Sequence, residues 1–403
     1  MREVRSTPPQ LDASGLGSPD KVWSSLCDKD EKFRRNRDFF DKHPKVKPEM
    51  RAMLIEWLME VCADRRLHRE TFHLCIDYMD RYMDKVANVD PSKLQLIAST
   101  TLVIATKVEE IYPPKIYEIA EYTDGSCSET AIRDMEEIML QKLNWECSPI
   151  TAAHWLSLFL QLMNANEITE YSETPEAPKR QRVESFTPST SFASALPAGR
   201  GHLPRVIDWF DAEDEEVNDE NIPVVFEEDD SRRCISPRNC TELLEISYLD
   251  RHVYPDQRCI IPKLMRDEFV RLSKILDLII LDVESLNFKY SELAAALVFC
   301  CYEPEHLIQE ITGFRASQLV KVRLFVESFV RYCECLEPAG VTIPYFCDVH
   351  RDDFHNIQTH VHKAIEHVHE IKTIRELSER RRKENEEAAF RHRKRKLCEY
   401  STT

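Results

Sequence analysis

The chain has 403 residues, 42% of them apolar and 31% charged, with a formal net charge of −17. That length allows two or three domains of about 100–200 residues each, and a pI ≈ 5.4 excludes a nucleic-acid binder built on a broad basic face. Only 7 glycines occur where average usage supplies roughly 28. None of them forms a GxGxxG turn or a P-loop, so a glycine-built phosphate cradle is absent, and the shortage of hairpin material favours an all-α fold.

Residues 1–20 hold three prolines and two glycines and read as a flexible tail. Pro48 stands where a first-turn proline is tolerated, and Met50, Met53, Leu54, Trp57, Leu58 and Val61 follow at helical spacing. A second helix runs from about Thr71 to Val86. Asp90-Pro91 is an N-cap followed by a first-turn proline, opening a third helix from Lys93 to Val108 that is apolar nearly all round and therefore central. Pro113-Pro114 stops it. A short helix covers Ile116 to Tyr122, and Ser126 with Glu129 reads as the capping box of a fifth, ending at Leu143.

Thr151 to Met163 and Lys263 to Val283 read as two more helices. Between them periodicity is lost, and the stretch from Asp208 to Asp230 carries twelve acids and no base, which predicts a disordered insertion. The small-residue run Leu293 to Phe299 reads as a second central helix. The division is then a tail over 1–20, a helical domain with a preceding helix over 21–148, a second over 149–345 interrupted at 164–258, a helical extension over 346–378 and a charged basic tail over 379–403.

The 14 cysteines form no CxxC pair and read as free thiols of a reducing compartment. His350, His355, His360, His362, His367 and His369 miss the spacing of helical zinc ligands and read as exposed positions of an amphipathic helix; no metal is expected. No hydrolase, metalloprotease or kinase signature occurs, so neither catalysis nor a cofactor is expected. No apolar run reaches the ~18 residues of a membrane span and no signal core opens the chain, so neither insertion nor secretion is expected.

Two features exceed what packing asks for. The Met50 helix carries two apolar stripes, and its Met50, Met53, Leu54 and Trp57 stripe reads either as a peptide groove or as a second buried face. Lys107 continues a stripe of the central helix, and Glu136 is a candidate partner for it; a solvated surface pair is the alternative.

Met50-Arg51-Ala52-Met53-Leu54-Ile55-Glu56-Trp57-Leu58 resembles the MRAILxDWL signature that opens the cyclin box. Lys107-Val108-Glu109-Glu110-Ile111-Tyr112-Pro113-Pro114 resembles its KFEEIYPP segment, with Val108 in place of a larger residue. Leu67 to Phe72 and His355-Asn356-Ile357-Gln358-Thr359-His360 are similar to E-type members.

The resemblance implies two tandem five-helix cyclin boxes and a regulatory subunit of a cyclin-dependent protein kinase acting in the nucleus at the G1/S transition. It implies an internal ion pair of Arg51 with Asp80, and kinase contacts from Lys107, Val108, Glu110 and Glu136. It implies a groove of Met50, Met53, Leu54, Trp57, Leu94 and Gln95 for Arg-x-Leu segments of substrates and inhibitors, with Glu60 receiving the arginine. Thr7, and Thr187 with Ser191, resemble phosphodegrons read by a ubiquitin ligase. Lys179, Arg180 and Arg182, and Arg393, Lys394, Arg395 and Lys396, are candidate nuclear-import clusters. A transcription-associated double-cyclin-fold protein and a peptide-binding scaffold without a kinase are the rival readings. Direct nucleic-acid binding is not expected.

Overall fold

A computed structural model describes residues 18–165, 238–239, 263–336, 343–378 and 380. Five helices make the first domain: α2 (Pro48–Asp64), α3 (Arg69–Lys85), α4 (Leu94–Glu109), α5 (Ile116–Glu121) and α6 (Glu129–Lys142), preceded by α1 (Pro19–Lys32). The helix α4 is the hub, packed against the other four, with Ile97, Ala98, Leu102, Val103, Ile104 and Ala105 all buried. Its entry follows from chemistry: Asp90 caps a tight turn over Pro91–Lys93 by accepting from the Ser92 N–H at 3.1 Å. The cap of α6 differs from the sequence reading. Ser128, not Ser126, accepts the Ala131 N–H, because the Ser126 hydroxyl is taken up by the Thr123 carbonyl and the Gln95 side chain.

The second domain repeats the plan with α7 (Ala152–Ala165), α8 (Lys263–Leu281), α9 (Tyr290–Cys301), α10 (Glu305–Thr312) and α11 (Val320–Leu336). Here α9 is the hub, touching α7, α8, α10 and α11; Ala294, Ala295 and Ala296 are wholly buried and let those neighbours approach closely. Leu293, Leu297 and Phe299 are buried beside them, each contributing about 1.5–3 kcal/mol. The only described piece of the insertion between α7 and α8 is the strand β1 (Arg238–Asn239), parallel to β2 (Tyr302–Glu303).

The preceding helix belongs spatially to the second domain. The Trp23 ring meets the Trp155 ring edge-on at 5.8 Å, and Asp30 accepts from the Ser291 hydroxyl at 2.6 Å. Just beyond α1, the Arg35 guanidinium donates to the Ser285 carbonyl at 2.9 Å and lies over the Tyr290 ring.

Residues 343–378 form a strap that returns to the first domain. A 3₁₀ turn (Arg351–Asn356) leads into an antiparallel bridge of Ile357 with His68, and the Gln358 N–H donates to the Leu67 carbonyl at 2.8 Å. Helix α12 then covers 364–378. The strap corrects the histidine reading: only His367 and His369 lie on its helix, His350, His360 and His362 are exposed but precede it, and His355 is buried, which pushes its imidazole down to about 4. Among the described residues no group of histidine, cysteine and acidic side chains is arranged to hold a metal, and Cys62, Cys75, Cys127 and Cys301 are buried free thiols.

Candidate partner-binding surfaces

Lys107 lies in the last turn of α4 and Glu136 on the facing side of α6. The Lys107 Nζ donates to both carboxylate oxygens of Glu136, at 2.6 and 2.8 Å. The lysine side chain is 47% exposed and the glutamate only 13%, so the pair stands half out of the surface rather than within the core. An ion pair that open contributes about 0–1 kcal/mol to folding. Its ammonium keeps a third N–H free of this pairing, a donor presented to solvent beside a fixed acceptor.

The same two helices and the segments that follow them leave apolar side chains in water. Val108 and Ile138 are half exposed, Ile111 is 83% and Tyr112 91% exposed, and Trp145 stands out just beyond α6 with a positive φ of 59°. Exposed apolar side chains of this size mark an interaction surface. Sequence reading reached Val108 but missed Ile111, Tyr112, Ile138 and Trp145, although an unbroken Ile-Tyr-Pro-Pro after a helix end was a visible signal.

Glu110 is not part of that surface. Its carboxylate turns inward, accepting from the His68 backbone N–H at 2.8 Å, the His68 ring at 2.7 Å and the Thr71 hydroxyl at 2.5 Å. Burial opposes its charge, but these hydrogen bonds outweigh it and hold the carboxyl below its ordinary value. The other nitrogen of the same ring lies 2.9 Å from Asp353 of the strap. With a carboxylate on each side, both ring nitrogens donate and His68 is an imidazolium, its pKa raised to about 10 by the Asp353 and Glu110 bonds. Glu110 is thus a clasp between the first domain and the strap, which its sequence neighbourhood alone did not reveal.

The α2 stripe is more enclosed than an open groove. Leu54, Trp57, Leu94 and Gln95 are buried, while Met50, Met53 and Glu60 are half-buried. The cause is that α2 packs against α3 and α4 on one side and meets α8 and the strap on others, so little of either apolar stripe is left to water. Two donors within it have no acceptor, however: Trp57 Nε1 and Gln95 Nε2 are buried and unpaired, the Gln95 oxygen being held by Ser126. An unmet buried donor costs about 1–3 kcal/mol, which an incoming carbonyl would recover.

Arg51 and Asp80 meet as a buried bidentate pair, 2.7 Å from Nε and 2.8 Å from Nη2. Around the same junction Asp277 of α8 accepts from the His73 ring at 3.1 Å and from the Gln358 amide at 2.8 Å. Thr7, Thr187, Ser191, Lys179, Arg180, Arg182, Arg393, Lys394, Arg395 and Lys396 lie outside the described residues.

Comparison with known proteins places the family of the cyclin N-terminal domain on residues 21–148. The chain is 31% identical over 353 residues to the G1/S-specific cyclin-E of Caenorhabditis elegans, covering 87% of this chain and 52% of that one. It is 32% identical over 361 residues to the G1/S-specific cyclin-E1 of Danio rerio, covering 89% and 65%. The chain therefore spans between half and two thirds of these relatives' lengths. Among solved structures, a viral cyclin from herpesvirus saimiri aligns with a TM-score of 0.46 at 11% identity, covering 78% of this chain and 98% of that one.

Proposed function

We propose that this chain, which belongs to the cyclin family, is the activating regulatory subunit of a cyclin-dependent serine/threonine kinase and works at the G1/S transition. The observation that carries the reading is the Lys107–Glu136 pair, its ammonium half exposed, on two helices that leave Val108, Ile138 and, just past α4, Ile111 and Tyr112 in water. Such a surface suits a helix terminus of a partner: the apolar rim takes side chains, while the ammonium and carboxylate satisfy main-chain groups that a helix end leaves open. Kinase catalysis requires its mobile αC helix to bring a glutamate to the ATP-binding lysine. A cyclin that grips αC supplies position, not chemistry, so this chain is regulatory and not itself an enzyme. The names of its relatives, G1/S-specific cyclin-E, support the phase of action.

The same reading assigns the α2 stripe to docking of Arg-x-Leu segments. The peptide's leucine would enter beside Met50 and Met53, its main chain would meet the unpaired Trp57 and Gln95 donors, and its guanidinium would reach Glu60. Because Trp57 and Leu54 are floor rather than walls, docking requires the side chains above them to part. Nuclear residence and ubiquitin-directed turnover through Thr7 or Thr187 complete the proposal. The test is direct: purified chain is mixed with purified cyclin-dependent kinases and phosphate transfer to a peptide is measured. Activation of at least one supports the reading, and activation of none overturns it.

A further inference from the structure

The strap passes beside the acidic end of the α2 stripe. The Val361 N–H donates to Met59 Sδ at 3.4 Å and the Ile365 N–H to Glu56 Oε1 at 3.2 Å, so residues 361–365 run along the 56–59 stretch. Glu60 is one helical turn beyond Glu56 and three residues from Trp57, which sets it between the strap and the groove. His360 and His362 flank Val361, both exposed, their rings edge-on with centroids 6.4 Å apart.

The charges around Glu60 are few. Burial raises its carboxyl, Glu56 and Asp64 of the same helix raise it further, and His360 and His362 act in the opposite sense. The neighbouring cations are committed elsewhere: Arg65 to Glu118 at 2.5 Å and Lys363 to Glu366 at 2.9 Å. Asp64 accepts the Tyr122 hydroxyl from beyond α5. The strap thus sets two imidazoles beside this acid, and imidazole is the side-chain type whose charge changes around neutral pH.

We propose that His360 and His362 are specificity-determining residues of the docking groove: neutral, they leave Glu60 to the guanidinium of a basic peptide, and protonated, they take over the field of that acid and turn the peptide away. The inference rests on the docking reading of α2. It makes the strap, whose other end is clasped at His68, a fixed wall of the groove and not merely a tie between domains.

The experiment is fluorescence anisotropy of a labelled Arg-x-Leu peptide on the full chain at about pH 7.5 and about pH 6. The native chain is expected to lose roughly fivefold in affinity on acidification. A His360→Asn, His362→Asn variant is expected to lose much less. Glu60 is the same in both proteins, so the difference between the two profiles carries the test. Equal losses overturn the inference. Met53→Glu separates it from the reading beneath it. If the peptide does not bind, or binds unaffected by Met53→Glu, the groove itself is wrong; if Met53→Glu abolishes binding while the histidine variant keeps the native profile, only the histidine role falls.

Discussion

Arg51 joins the two domains through one side chain: two of its nitrogens hold Asp80 of α3, and the third, Nη1, donates to the Ile280 carbonyl of α8 at 3.0 Å. Arginine and aspartate are each only 3% exposed. The pair was expected to bind two helices of one domain; the same arginine also ties that domain to α8 of the second.

Removing one partner of such a pair strands the other charge in the core. Arg51→Ala is expected to cost about 3–5 kcal/mol of stability. Urea unfolding followed by circular dichroism measures it. A loss below about 1 kcal/mol, the scale of a surface pair, would show that Asp80 finds another partner.

The His68 clasp gives the chain a pH signature. Its folded pKa of about 10 stands above the unfolded value of about 6.5. Its contribution is therefore complete below pH ~6.5 and is lost as pH rises through about 10. Melting temperature across that window should fall more steeply in the native chain than in His68→Gln. The variant should also show faster amide exchange over residues 353–359, where the strap is released.

Glu70 predicts a gain rather than a loss. Burial raises its carboxyl to about 8, and the Thr151 hydroxyl donates to it at 2.6 Å. A carboxyl raised from an unfolded value of about 4.3 contributes fully below that pH, and the contribution disappears as pH climbs through 8. Glu70→Gln keeps the acceptor for Thr151 without the charge. It should melt higher than the native chain at about pH 8 and close to it at about pH 4; a lower melting temperature at the alkaline end would mean that Glu70 is ionised and paired.

Helix existence and hub identity were legible because α4 and α9 are apolar nearly all round and α4 is flanked by Asp90-Pro91 and Pro113-Pro114, all local signals. What escaped was set by distant partners. Ser126 and Ser128 are equivalent as caps until Gln95 claims one of them. Glu109 and Glu110 are adjacent acids until His68 selects the second. The two stripes of α2 were visible, but their covering by α8 and by a strap some three hundred residues away was not. For the same reason Trp57→Ala, a clean docking variant for an open groove, is expected from its burial to cost about 3–5 kcal/mol. Met53 and Glu60 are the better probes.

The account stands on Lys107 and Glu136 as the grip on a kinase, and one affinity decides it. Isothermal calorimetry of the native chain and of the Lys107→Ala, Glu136→Ala variant is run against a kinase that the native chain activates. Removing both partners together strands no charge, so the variant should keep its melting temperature to within the small effect of a partly exposed pair. The account predicts that it loses roughly 100-fold or more in affinity and the activation with it. Binding retained to within a few-fold would contradict it.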